Sequence, residues 1–101
     1  MIDGNQKDEV IFLRDQLQVF GRSNGIRLRD PLASRSHMQI YSDGCDYILE
    51  DLRSCNGTYV NGFPVNHAKV LIHGDQIQVG ATTLLFEIMG SRIKNQKALL
   101  N

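Results

Sequence analysis

Three short polar segments of the chain carry the side chains best suited to binding an anionic or strongly polar ligand. They are Gly21-Arg22, Ser34-Arg35-Ser36-His37 and Ser54–Gly62. Arginine offers a planar, permanently charged group with five N–H donors, and serine and asparagine add short hydroxyl and amide donors. Residues of these types in loops predict a recognition site, provided that the surrounding elements hold the loops still.

The segment Ser54–Gly62 contains two Asn-Gly pairs, which flank the triplet Thr58-Tyr59-Val60. Asn-Gly is the strongest short turn signal, because both residues tolerate positive φ. Two tight turns around a very short strand predict a stiff rim at the edge of a sheet. The other two polar segments are expected to form loops beside these turns, so that all three segments face one site.

The rest of the chain predicts short strands separated by turn signals. The predicted strands are residues 9–13, 16–20, 26–28, 37–41, 46–52, 58–60, 63–66, 68–72, 76–79 and 82–88. Many short strands and no convincing helix indicate an all-β sandwich. Residues 91–101 leave the pattern and predict a short helix or a linker. We therefore expect a domain over residues 1–90, with a truncated first strand, and a tail over 91–101.

The overall composition is that of one small globular domain. The chain has 101 residues, of which 42% are hydrophobic and 22% charged, and its formal net charge is zero. A neutral chain argues against nucleic acid or an anionic membrane as the partner. The charge is unevenly placed, however, because residues 22–35 contain four arginines, at 22, 27, 29 and 35, and one acid, Asp30.

The cysteines indicate a reducing compartment. Cys45 and Cys55 are too few for a disulfide-built fold, and no signal peptide or apolar run of about 20 residues is visible. We expect a cytoplasmic protein, or a nuclear one if the source is eukaryotic, without membrane insertion. No Cys-x-x-Cys or His-x-x-x-His spacing occurs, so neither a metal nor a cofactor is expected.

In their order and spacing the three segments resemble the forkhead-associated (FHA) domain. Its signature is Gly-Arg, then Ser-Arg-x-His, then Ser-x-Asn-Gly-Thr-x-Val-Asn-Gly, followed by a Gly-Asp turn and a late glycine. Gly74-Asp75 and Gly80 match the last two elements, and the resemblance runs from about Val10 to Ile88. It implies a sandwich of about eleven mostly antiparallel strands, whose loops at one end bind phosphothreonine in an extended peptide.

The resemblance also implies roles for individual residues. Arg22 would be the main partner of the phosphate, Ser34 would donate its hydroxyl and its N–H, and Arg35 would add a second positive group. Asn56 would bind the backbone of the residue after the phosphothreonine, and Asn61 would stabilise a turn and contact the peptide. Five residues would support the site structurally: Gly21, His37, Gly57, Thr58 and Gly62.

Cys55 departs from the family, in which many members have a threonine or serine whose hydroxyl binds the phosphate. A thiol is a weaker donor than a hydroxyl. We therefore expect Cys55 to lie against the phosphate and either to weaken its binding or to be compensated by Arg35 or Ser36.

Two other classes of function are weighed against this one. A hydrolase would use Ser34 or Ser36 with His37 and an aspartate, but Ser36 and His37 are adjacent and would point to opposite faces of a strand. No nucleophile elbow or P-loop is present either. An FHA-like scaffold could instead bind a protein through its sheet face without phosphate. The sequence predicts a non-enzymatic, phosphothreonine-dependent interaction module, the partner being a Thr-phosphorylated protein and the module part of a larger chain.

Overall fold

The computed structural model describes residues 10–13, 16–88 and 92–95. These residues form eleven strands: β1 (Val10–Phe12), β2 (Gln18–Gly21), β3 (Ile26–Arg27), β4 (Met38–Ser42), β5 (Tyr47–Asp51), β6 (Thr58–Val60), β7 (Phe63–Pro64), β8 (Lys69–Leu71), β9 (Gln76–Val79), β10 (Thr82–Glu87) and β11 (Arg92–Asn95). The described residues contain no helix long and apolar enough to cross a membrane.

The strands form two sheets that pack face to face. One sheet has the order β1-β11-β10-β9-β6-β7, and the other has the order β3-β2-β4-β5-β8. Of the strand pairs, β2–β3 is parallel and the others are antiparallel. The predicted all-β sandwich of mostly antiparallel strands is confirmed.

Alternation of polar and apolar residues explains the strands, because successive side chains point to opposite faces of a sheet. In β9 the two hydrophobic residues, Ile77 and Val79, are fully buried, whereas the two glutamines are exposed. In β6, Thr58 and Val60 are buried, and Tyr59 between them faces outward. Each sheet therefore has one face that must pack against the other sheet.

The core lies between the sheets. Its buried hydrophobic residues among the described part of the chain are Leu13, Phe20, Leu28, Ala33, Met38, Ile40, Leu49, Val60, Leu71, Ile77, Val79, Leu84, Phe86 and Ile93. The ring of Tyr47 in β5 meets the ring of Phe86 in β10 edge to face, with centroids 5.8 Å apart. Such a pair contributes about 0.5–1.5 kcal/mol beyond its buried area, and this one joins the two sheets directly.

The structure corrects the expectation for the C-terminal segment. Residues 92–95 form β11, which lies between β1 and β10, so the predicted helix or linker is wrong for these four residues. Ile93 is completely buried and pairs with Ile11 and Phe86. Residues 91 and 96–101 lie outside the described residues, and the predicted domain boundary stays a prediction.

Asp30, in the β3–β4 loop, connects that loop to the opposite sheet. Its carboxylate is buried and accepts hydrogen bonds from the Ala81 N–H at 2.8 Å and the Thr82 hydroxyl at 2.7 Å. It also accepts the Leu32 N–H at 2.9 Å. A buried carboxylate is tolerated only where such donors replace its lost water, so the position of this loop depends on Asp30.

We predict that Asp30→Ala lowers the free energy of unfolding by about 3 kcal/mol, because it leaves buried donors without their charged acceptor. Urea unfolding measures the loss. Asp46→Ala is the matched control, since Asp46 is exposed and its removal should change stability by less than about 0.5 kcal/mol. Equal small effects of both substitutions would show that Asp30 does not hold the loop.

Candidate phosphopeptide-binding site

A cavity of about 500 Å³ opens at one end of the sandwich, between the β2–β3, β3–β4 and β5–β6 loops. It is lined by Arg22, Pro31, Leu32, Ala33, Ser34, Arg35, Ser36, Cys55 and Asn56. Five of the six residues predicted to contact a peptide therefore lie together, although they are separated by up to 34 positions in sequence. No carboxylate is among the lining residues. This cavity is the candidate binding site.

Arg22 follows the last residue of β2 and is held by the neighbouring loop. Its backbone N–H donates to the Ser34 carbonyl at 2.8 Å, and its Nε–H donates to the Ala33 carbonyl at 3.0 Å. The side chain is exposed, and its two terminal nitrogens make no hydrogen bond to the described residues. The guanidinium is thus fixed in orientation while its outer donors remain available to a ligand.

Gly21 permits this arrangement because the backbone of the β3–β4 loop passes directly over it. A Cβ atom on Gly21 would lie 2.0 Å from the Arg35 carbonyl oxygen, far inside van der Waals contact. The same oxygen accepts the Asn24 N–H at 3.0 Å. Any side chain at position 21 would push the loop that carries Ser34 and Arg35 away from Arg22.

His37 joins the two loops that form the cavity walls. It is completely buried, its Nδ1 lies 3.0 Å from the Ser34 N–H, and its Nε2 lies 2.9 Å from the Gly57 carbonyl. A ring nitrogen that accepts from a backbone N–H carries no proton, so the geometry assigns the neutral tautomer with its proton on Nε2. Both ring nitrogens are engaged, which leaves no free base for the hydrolase mechanism.

The His37 contact corrects one expectation about Ser34. The Ser34 N–H donates to the imidazole and is not directed at a ligand. The Ser34 hydroxyl oxygen accepts the Cys55 N–H at 2.9 Å, which leaves the hydroxyl proton as the group that Ser34 can donate. Cys55 therefore fixes the loop through its backbone, while its exposed thiol lines the cavity.

Asn56 and Asn61 have different environments although both precede a glycine. Asn56 lines the cavity, and its Nδ2 donates to the Leu32 carbonyl at 2.8 Å. Asn61 lies outside it, with a positive φ of 51°. Its Nδ2 donates to Asp75 at 2.8 Å and its Oδ1 accepts the Gln76 N–H at 2.9 Å. The structure places Asn61 in a turn brace, and a contact with the peptide stays a prediction.

Asp51, at the end of β5, is a supporting residue that the sequence did not single out. Its carboxylate accepts the hydroxyls of Ser54 and Thr58, both at 2.6 Å, and the Ser54 N–H at 3.1 Å. Burial by itself raises the pKa of Asp51, but these hydrogen bonds together lower it below the ordinary value of 3.8. An aspartate followed three residues later by a serine is a pattern that favours a turn, because the carboxylate can accept hydrogen bonds from the nearby backbone. This spacing of Asp51 and Ser54 is the local sequence signal that could have identified Asp51.

The lowered pKa predicts an acid-sensitive site loop. A carboxyl with a depressed pKa in the folded state contributes stability above its unfolded pKa, and that stability is lost as the pH falls through the folded value. Between about pH 5 and pH 2, wild-type protein should therefore lose more stability than Asp51→Asn, which is already weakened at pH 7. Urea unfolding across this range tests it, with Asp46→Asn as the exposed control. Parallel pH profiles of wild type and Asp51→Asn would contradict it.

Comparison with known proteins places this geometry in a family. A family model described as FHA domain matches residues 18–80. The oxoglutarate dehydrogenase inhibitor of Corynebacterium jeikeium is 42% identical over 78 residues, which cover 74% of this chain and 54% of that protein. The glycogen accumulation regulator GarA of Mycolicibacterium smegmatis is 43% identical over 61 residues, covering 60% and 38%. The chain thus spans about half the length of the curated relatives it matches.

A solved FHA-domain structure has the same architecture. That structure is described as part of a structural and functional analysis of phosphothreonine-dependent FHA domain interactions. It superposes on this chain with a TM-score of 0.64. The two sequences are 36% identical, and the match covers 83% of this chain and 79% of that chain. Taken with the match to the family model over residues 18–80, this shows that the chain belongs to the FHA domain family.

Proposed function

We propose that the cavity binds phosphothreonine in an extended peptide, and that the chain is a phosphothreonine-dependent protein interaction module. One observation carries the proposal: Arg22 is held by the Ala33 carbonyl at the edge of a cavity that contains a second arginine, Arg35, and no carboxylate. Such a cavity favours an anion, and its shallow position at loop tips suits a side chain presented by another protein.

The chemistry of the cavity matches that of a phosphate group. Phosphothreonine carries roughly −1.5 to −2 charges and three acceptor oxygens. The terminal nitrogens of Arg22 and the hydroxyl proton of Ser34 are donors that remain available, and Arg35 adds positive charge. Because the loops are already fixed by hydrogen bonds, little ordering of the protein accompanies binding, which favours affinity.

The peptide backbone has a candidate partner beside the phosphate. Asn56 uses its Nδ2 on the Leu32 carbonyl, which holds the amide in place and leaves its Oδ1 to accept an N–H from the residue after the phosphothreonine. The proposal thus includes two direct contacts with the peptide: the Asn56 amide meets its backbone, and the Cys55 thiol meets its phosphate.

The relatives support a role in regulation through binding. Two curated relatives are described as an inhibitor and a regulator, and the solved relative belongs to work on phosphothreonine-dependent interactions. Binding without catalysis agrees with His37, whose ring nitrogens are both engaged. The proposed partner is a Thr-phosphorylated protein. The cytoplasmic location stays a prediction.

We predict that Arg22→Ala weakens binding of a phosphothreonine peptide by at least about 100-fold, because two charge-assisted hydrogen bonds of about 1.5–3 kcal/mol each are lost. The melting temperature should change little, since the side chain is exposed. Titration of a phosphothreonine peptide library, beside its unphosphorylated copy, measures the loss. Arg27→Ala is the control, because it removes the same charge from an exposed position outside the cavity.

The same experiment distinguishes site residues from supporting residues. His37→Ala should lower the melting temperature strongly, because the Ser34 N–H and the Gly57 carbonyl lose a buried partner. Equal melting temperatures of the Arg22 and His37 variants would contradict this division. Partner binding that survives both dephosphorylation and Arg22→Ala would instead support the phosphate-independent scaffold, and the exposed Val70 and Ile72, in and directly after β8, would be its candidate contacts.

Replacing the thiol in the cavity tests whether Cys55 contacts the phosphate. We predict that Cys55→Thr binds phosphothreonine peptides about tenfold more tightly, because a hydroxyl donates a stronger hydrogen bond than a thiol. The fold should be unaffected, since the Cys55 backbone N–H, and not its side chain, contacts Ser34. Cys55→Val, of similar shape but without a donor, is the control. Equal affinities of the threonine and valine variants would place residue 55 away from the phosphate.

A further inference from the structure

Exposed arginines are concentrated in the loops at the binding end of the sandwich. Arg35 lines the cavity, and two further exposed arginines, Arg29 and Arg53, lie two residues before the lining residues Pro31 and Cys55. No ion pair or hydrogen bond joins the guanidinium of Arg29, Arg35 or Arg53 to any residue that the structure describes. These three charges are therefore available to a ligand.

The acidic residues of the same loops are turned away from this surface. Asp30 is only 3% exposed and is committed to the Leu32 N–H and to the β9–β10 turn. Asp51 accepts hydrogen bonds from Ser54 and Thr58. Neither carboxylate lines the arginine-containing cavity. The outward-facing charge of the loops is thus set by the arginines.

A charge count indicates what the ligand must supply. Arg22 and Arg35, which line the cavity, bring two positive charges, and phosphothreonine brings at most about two negative charges. Arg29 and Arg53 are exposed and are not among the lining residues, so they remain for the residues that flank the phosphothreonine. From this surface, and resting on the phosphothreonine site proposed above, we infer that the preferred ligand is a phosphothreonine within an acidic segment, whose Asp or Glu side chains meet Arg29 and Arg53.

The preference has a side. Glu50 and Asp51 line a separate cavity of about 310 Å³ with Asn66, His67 and Ala68. Glu50 and Asp51 would repel acidic side chains placed beside that cavity. Aspartates on the side of the phosphothreonine that lies away from Glu50 and Asp51 should therefore increase affinity more than aspartates on the other side.

Synthetic peptides test the inference directly. One set has phosphothreonine flanked on both sides by alanine; further sets have aspartate on the N-terminal side only, on the C-terminal side only, or lysine in place of aspartate. At about 0.01 M salt, where exposed charges act over about 30 Å, the better aspartate peptide should bind wild-type protein about fivefold more tightly than the alanine peptide. At about 1 M salt, where the screening length is about 3 Å, this ratio should fall towards one.

Variants assign the effect to particular residues. Arg29→Ala and Arg53→Ala should each reduce the aspartate-to-alanine affinity ratio, and the double charge reversal Arg29→Glu with Arg53→Glu should make the lysine peptide the tighter ligand. Lys69→Ala, which removes a charge from β8 outside the cavity, should keep the wild-type ratio. Circular dichroism establishes that each variant is folded.

Three outcomes would overturn the inference. Equal binding of aspartate and alanine peptides at low salt would do so, as would a ratio unchanged in the Arg29 and Arg53 variants. Equally tight binding of a random oligonucleotide would assign the positive surface to nucleic acid. Failure of the phosphothreonine site itself is a different result, in which no peptide of any set binds in a phosphate-dependent manner.

Discussion

The hydrogen bonds of one buried imidazole determine the geometry of the binding end. His37 contacts the Ser34 N–H with one ring nitrogen and the Gly57 carbonyl with the other, so the β3–β4 and β5–β6 loops cannot move independently. Because the imidazole is completely buried, breaking either bond leaves an unsatisfied polar group away from water. The contact between the Cys55 N–H and the Ser34 hydroxyl is possible only once the two loops have been brought together.

Charge is separated at the binding end of the molecule. Asp30 and Asp51 each accept a backbone N–H together with a side-chain hydroxyl, and so stabilise loops from within. These hydrogen bonds come from backbone N–H groups and hydroxyls. Arg22, Arg29, Arg35 and Arg53 of the loops are exposed. A chain with a formal net charge of zero can in this way present a cationic surface at one end.

Local patterns in the sequence predicted most of the fold, since alternation and turn chemistry operate over a few residues. The strands around Ile77 and Val79 follow from such alternation, and the position of the binding loops follows from the motif of the family. β11 was not predicted because Ile93 is the one apolar residue in Arg92–Asn95. That segment is a strand because β1 and β10 flank it on both sides, and neither partner is visible in its own sequence.

Contacts between residues far apart in the chain could not be predicted from the sequence. Asp30 meets Ala81 and Thr82, 51 and 52 positions away, and no spacing rule connects residues so far apart. Asn61 shows the same limit: its Asn-Gly pair predicted the turn, but only the fold brings Asp75 and Gln76 to its amide. Sequence therefore predicted which residues have the chemistry for the site, and packing decided which of them face the cavity.

The division between backbone and side chain explains how the site accommodates a thiol. The hydrogen bond that fixes the β5–β6 loop comes from the Cys55 N–H, which every residue except proline possesses. The side chain at position 55 is an exposed free thiol, and the hydrogen bond that fixes the loop does not involve it. Its identity can therefore change the number of donors offered to a ligand without changing the positions of Arg22, Ser34 or Asn56. In this site the geometry depends on buried polar contacts, and the affinity depends on the exposed groups those contacts position.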